Sequence, residues 1–185
     1  MDTHEAIRTR RTAHSWRADA VPEEVIHRAL ASAHCAPCHY QSWPWRFTLP
    51  GPRTRAAITG LGTEIKAKKS GTELSPAFAK SLEAKLVHPA LVVVSQVLHE
   101  DPARREEDYA ACACAVQNLS LSLRADGFHS KWATGAVTRH SETYQILGIP
   151  AEEERIIGFV WIGVPSREPA APVRPEVQTH IRRTE

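Results

Sequence analysis

The stretch Asp108–Gly127, "DYAACACAVQNLSLSLRADG", decides the fold. Its length and its small apolar residues read as a buried helix. The helical pattern runs from about Arg105 to Arg124, is apolar on nearly all sides, and is expected at the centre of the fold. Gly127 ends it after Asp126. So much apolar surface exceeds what one small domain covers. Its small side chains permit close helix approach, and a symmetric dimer buries such a patch twice.

Outward from this helix, the chain alternates helices with separated strands. "THEAIRTRR" reads as a short helix with Thr3 as N-cap. After Pro22, the apolar stripe Val25, Ile26, Ala29, Leu30 and Ala33 marks an amphipathic helix that Pro37 stops. "WRFTL" alternates as a strand, a basic helix follows over "RTRAAITGLGTEIKAKK", and "KSGTELS" is a connection. "PAFAKSLEAKL" gives another helix, while "PALVVVSQV" and "RIIGFVWIGVP" are strands buried on both faces. "SETYQILG" is a short helix capped by Ser141. The Pro-rich tail from Ser166 suits an extended segment lying across a partner. This order fits one α+β domain over residues 1–185, with no internal repeat.

Bulk properties exclude several classes. Lys and Arg number 23 against 21 Asp and Glu, with no block of like charge that reads as a nucleic-acid tail. No apolar run approaches a membrane span, and the polar start lacks the apolar core of a secretory signal. With only four cysteines, too clustered for a disulfide framework, a cytoplasmic location is the expectation.

Cys35–Trp45, "CAPCHYQSWPW", contains Cys-x-x-Cys-His, which spells a c-type haem site and also half a zinc site or a redox dithiol. Haem attachment requires export, and the only Met is the first residue. Cys112 and Cys114 diverge by roughly 200° on a helix and so cannot share one metal; core packing is their expected role. A dithiol motif belongs at a helix start, whereas Cys35 ends a helix.

Three polar clusters carry chemistry. Arg10, Arg11, Thr12 and His14 gather guanidinium forks and a hydroxyl at the end of a short helix, the makings of a phosphate clamp. Trp132, Ala133, Thr134 and Gly135 form a small-residue loop whose backbone can approach a flat ligand. In the third, Pro37 and Pro44 stiffen the loop that holds Cys38, His39 and Gln41, and Trp43 and Trp45 offer apolar faces. No metal cluster and no catalytic acid–base pair is evident.

In order and spacing these segments resemble the FMN-dependent nitroreductase family, in its small, minimal form. The resemblance runs through "IRTRRTAHSW", "APCHYQSWPWRF", "AACACAVQNLSLSLRADGF", "WATG" and "LGIPAEEERIIGFVWIGVP". Thr12 stands where the family has serine, Trp43 where glutamine is common, and Cys38 and Gln41 where serine and asparagine are common. The resemblance implies a nitroreductase-like α+β fold, with a mixed or antiparallel central sheet flanked by helices around a long buried helix. It also implies a homodimer with FMN at the subunit interface. Arg10, Arg11, Thr12 and His14 would then serve the phosphate and ribityl side, with Trp132–Gly135 on the same subunit. Cys35, Cys38, His39 and Gln41 would approach from the other subunit, with no metal and no redox duty for the thiols. NAD(P)H would donate electrons, and a nitroaromatic, quinone or similar conjugated small molecule would accept them in a ping-pong reaction. The alternatives are a flavin-binding protein of this fold without NAD(P)H turnover and a haem or metal redox protein.

Overall fold

The computed structural model describes residues 1–70, 75, 76 and 90–184. Its elements run α1 (Thr3–Thr9), α2 (Glu23–His34), β1 (Trp45–Thr48), α3 (Pro52–Ser70) and β2 (Ala90–Val97). There follow α4 (Pro102–Ala125), β3 (His129–Ala133), α5 (Ala136–Arg139), α6 (Ser141–Leu147) and β4 (Glu154–Gly163). The helix expected over residues 76–86 and the connection expected over 69–75 fall mostly outside the described residues.

Helix α4 has strong ends. Asp101 caps it through a 2.9 Å bond accepted from the Ala103 N–H, Pro102 opens it, and Gly127 at φ 85° turns the chain out. Ala111, Cys112, Ala115, Val116, Leu119, Ser120 and Leu123 are buried along one stripe, packed on α2 and the sheet. The helix lies at the centre of the fold, with one face left exposed among the described residues. Ala110, Cys114 and Gln117 are exposed on the opposite face, where Pro37, Cys38 and His39 flank a shallow hollow beside Ala110 and Cys114. Cys112 does pack in the core, where burial first, and then Asp108, push its thiol up to about 12; Cys114 does not.

The strands form one antiparallel sheet in the order β1-β2-β4-β3. Strand side chains alternate, so Val92 and Val94 face α4 while Leu91 and Val93 face the cluster beneath α3 and α6. In β4 the alternation slips. Ile156, Phe159 and Trp161 share the α3 side, and Ile157, Val160 and Ile162 share the α4 side. A bulge produces the slip: Val94 pairs with Gly158 but Ser95 pairs with Ile156, leaving Ile157 over.

Two caps differ from expectation. Asp2, not Thr3, caps α1 by accepting from Glu5 at 2.9 Å, and His140, not Ser141, caps α6 through Nδ1 at 3.3 Å from the Glu142 N–H. In each case the side chain one residue earlier reaches the open N–H first. Beyond Pro165 the tail is extended and almost wholly exposed apart from one turn at Val177–His180.

Candidate functional site

The arginine cluster and the small-residue segment come together along the edge of the sheet. The chain leaves α1 at Arg10, and Thr12 then bridges Ser130 of β3, the Ala13 N–H donating to the Ser130 carbonyl at 3.3 Å. The bridge is parallel, so Arg11 lies on the His129 side of it and His14 on the Lys131–Ala133 side. Arg124, at the end of α4, braces this turn: its Nε donates to Thr9 Oγ1 at 3.1 Å. Arg11 is spent locally, donating to the Arg8 and Arg10 carbonyls at 2.6 and 2.8 Å. Arg10 is half-buried, and its guanidinium has no ion pair or hydrogen bond among the described residues. Thr12 and His14 are exposed.

Beneath the turn lies His129, only 3% exposed, with Nε2 3.3 Å from Arg124 and 3.6 Å from Glu168. Its Nδ1 is buried, and the Arg11 backbone lies against the imidazole. Burial lowers its pKa from the ordinary 6.5; Glu168 opposes that shift and Arg124 adds to it.

Trp132 and Ala133 belong to β3, which corrects the expectation of a loop; only Thr134 and Gly135 lie beyond the strand. Gly135 has φ 161°, extended backbone that any residue adopts, so its value there is the absence of a side chain. The Trp132 indole crosses β4 and donates to the Ile157 carbonyl at 3.3 Å, satisfying the bulge residue beyond the end of β3. Gly158 makes this possible: a Cβ there would lie 2.1 Å from Trp132 Nε1.

A hollow of about 380 Å³ opens between α3 and β3. His14, Ala133, Thr134 and Gly135 line it, together with Lys66 and Lys131, on a floor that includes Phe159 and Trp161. The two lysines were not singled out from the sequence. Lys131 adjoins Trp132 and was within reach of a sequence reading, whereas Lys66 sits in a basic helix with nothing to mark it.

The loop after α2 goes elsewhere. His39 Nδ1 is 2.9 Å from Glu107, its ring stacks on Tyr40 at 3.9 Å, and Arg104 lies 4.1 Å over the Tyr40 ring. Ser42 donates to the buried Asp108 carboxylate at 2.8 Å. Tyr40, Gln41 and Trp43 have φ of 58°, 54° and 41°, a concentration of left-handed non-glycine residues that stores strain. Trp43 is exposed, but Trp45 is buried with Nε1 bonded to His34 at 3.1 Å, so only Trp43 offers the apolar face expected of both. Cys35 is exposed at the end of α2, and Cys38 is half-buried. This loop rests on Glu107 and Asp108, whereas the arginine turn rests on Arg124. At 1.5 Å per helical residue the two groups stand about 25 Å apart along α4. One chain brings His14 to Ala133–Gly135 and holds Cys38, His39 and Gln41 away from them, while Cys35 lies nearer α1, lining a separate hollow with Ala6, Asn118 and Ser122.

With this geometry the chain can be placed. Residues 7–164 match the model of the nitroreductase family, and the chain belongs to that family. Among curated proteins it is 27% identical over 173 residues to the "Putative NAD(P)H nitroreductase YfhC" of Bacillus subtilis, covering 93% of this chain and 89% of the relative. Among solved structures it resembles a nitroreductase-like family protein from Bacillus cereus, at 22% identity and a TM-score of 0.83, over 100% of this chain and 97% of the other. It also resembles a Desulfovibrio desulfuricans "putative nitroreductase in complex with FMN", at 18% identity and a TM-score of 0.76, over 100% of this chain and 98% of the other. The fold is nitroreductase-like α+β, as the resemblance implied. No helix among the described residues is long and apolar enough to cross a membrane.

Proposed function

We propose that the chain is an FMN-dependent NAD(P)H oxidoreductase, working as a homodimer and reducing a flat conjugated acceptor such as a nitroaromatic or a quinone. The observation that carries this reading is the seating of the Thr12–Ala13 backbone on Ser130 of β3, which brings His14, two residues beyond Thr12, into the lining of a hollow of about 380 Å³. That volume lies in the range of small-molecule sites. The donor set suits a phosphorylated flavin: an unpaired, half-buried guanidinium and an exposed hydroxyl stand ready for an anion.

Arg10 and Thr12 hold the phosphate, with Arg11 shaping the turn and His14 facing the hollow. The Ala133–Gly135 backbone offers donors and acceptors to the ring, and Trp132 walls the end of β3. Bound FMN supplies the redox chemistry, taking electrons from NAD(P)H and passing them to the acceptor. The protein binds, orients and excludes water, which accords with the absence of an acid–base pair from its motifs.

Assembly follows from the open face of α4 and from the 25 Å, approximately, between the two groups of candidate residues. In a symmetric dimer the strained loop of one subunit, with Cys35, Cys38, His39 and Gln41, completes the site built on Arg10–His14 and Trp132–Gly135 of the other. The test is to purify the protein, release and identify its chromophore by heat and chromatography, and follow NADPH and NADH oxidation anaerobically with nitroaromatic and quinone acceptors. Sedimentation over a dilution series accompanies it. Bound FMN, turnover and a dimer that tightens with flavin are expected. A monomer of about 20 kDa that retains tight FMN overturns the shared site.

A further inference from the structure

A second and larger hollow, about 710 Å³, adjoins the first and shares Thr134 and Thr138 with it. Its lining has a different character. Arg105, Arg139 and Arg155 line it against a single carboxylate, Glu106, and Tyr109 and Tyr144 supply aromatic surface.

The arginines are arranged for an anion. Gln96, fully buried, ties two sides of the hollow together: its Oε1 accepts from Arg155 Nη2 at 2.9 Å, and its Nε2 donates to the Arg105 carbonyl at 2.6 Å. Arg155 also lies 5.2 Å over the Tyr109 ring, and Arg105 donates through Nε to the His99 carbonyl, so both guanidiniums are held in place. Arg139 is exposed, and its guanidinium has no hydrogen bond or ion pair among the described residues. Preorganised guanidiniums bind phosphate with paired, charge-assisted hydrogen bonds.

We propose that this arginine-lined hollow receives the phosphorylated adenosine end of the electron donor, and that Arg139 selects NADPH over NADH by binding the 2′-phosphate. The inference rests on the reading that FMN occupies the adjoining hollow, since the shared wall at Thr134 and Thr138 would let one dinucleotide span both. NADPH and NADH differ only in the 2′-phosphate, so their ratio isolates the contact.

The experiment measures kcat/KM for NADPH and for NADH on holoenzyme, in the wild type, R139Q and R139K, with calorimetry of 2′,5′-ADP and 5′-AMP on the same proteins. A charge-assisted contact of this kind gives the wild type a preference for NADPH of about tenfold or more. R139Q collapses that ratio mainly through KM, and R139K recovers part of it. The wild type also binds 2′,5′-ADP more tightly than 5′-AMP, and R139Q loses the difference. A wild-type ratio near one, a ratio that R139Q leaves in place, or equal binding of the two nucleotides overturns the proposal. It is equally overturned if R139Q raises KM for the acceptor and leaves NADPH alone, which gives the hollow to the oxidant. Should the protein carry no FMN, the proposed function fails, while the calorimetry still decides on this hollow.

Discussion

Substituting Gly158 by alanine tests the link between the β4 bulge and the candidate site. The added Cβ would lie 2.1 Å from Trp132 Nε1, 2.5 Å from its Cδ1 and 3.1 Å from the Ala133 carbonyl oxygen. Carbon contacts are comfortable at about 3.5–4.0 Å, so the indole must retreat by roughly 1.5 Å. Overpacking of this kind costs about 1–3 kcal/mol, and the Trp132–Ile157 bond, worth about 0.5–1.5 kcal/mol, is lost as the ring moves. Against this, replacing glycine in a strand restricts the unfolded chain and returns about 0.4–1 kcal/mol where the backbone tolerates it. A net loss of about 2 kcal/mol is expected, or roughly 4–8 °C in Tm at this chain length. The assay is urea unfolding of the wild type, Gly158→Ala, Trp132→Ala and the double variant, with flavin affinity measured on each. In the Trp132→Ala background the cost of Gly158→Ala should fall by at least about 1 kcal/mol, a coupling typical of residues in contact. An equal cost in both backgrounds would refute the reasoning, because the strain would then lie in the β4 backbone rather than against the indole.

Arg10→Ala should weaken FMN by about ten- to a hundredfold, since a charged hydrogen bond is worth roughly 1.5–3 kcal/mol, and Thr12→Ala should weaken it less. Unchanged fluorescence titrations for both variants would remove the phosphate assignment. A Cys35→Ala/Cys38→Ala double variant should keep its flavin and most of its NAD(P)H oxidation rate; retention of FMN with loss of onward electron transfer would restore a dithiol relay. Because the pKa of His129 is lowered on folding, the unfolded chain binds the extra proton first, and stability should decline as pH falls below about 6.5. The decline should level off below the folded pKa and be flatter in His129→Gln when denaturation midpoints are followed between about pH 5 and 8.

The sequence by itself determined a good deal of this protein, because local chemistry was enough. Strand runs such as "LVVVS" and "IIGFVWI" are too apolar for a one-sided sheet, and the breakers at Pro22, Gly127 and Gly148 act within a turn, whereas α4 starts at Pro102, ahead of the expected Arg105. The order of the motifs likewise pointed to the nitroreductase family, which residues 7–164 match. Composition could not say which faces of α4 are covered, because burial of Ala111 and exposure of Ala110 depend on α2 and the sheet arriving on one side only. Nor could it place the β4 bulge, which is a matter of pairing with β2, or take Trp132 out of a loop and into β3. The sequence shows His14 and Ala133–Gly135 about 120 residues apart; the Thr12–Ser130 bridge is what makes them neighbours. Arg105, Arg139 and Arg155 are likewise scattered along the sequence. Only the folded chain, with Gln96 buried between two of them, turns them toward a common hollow.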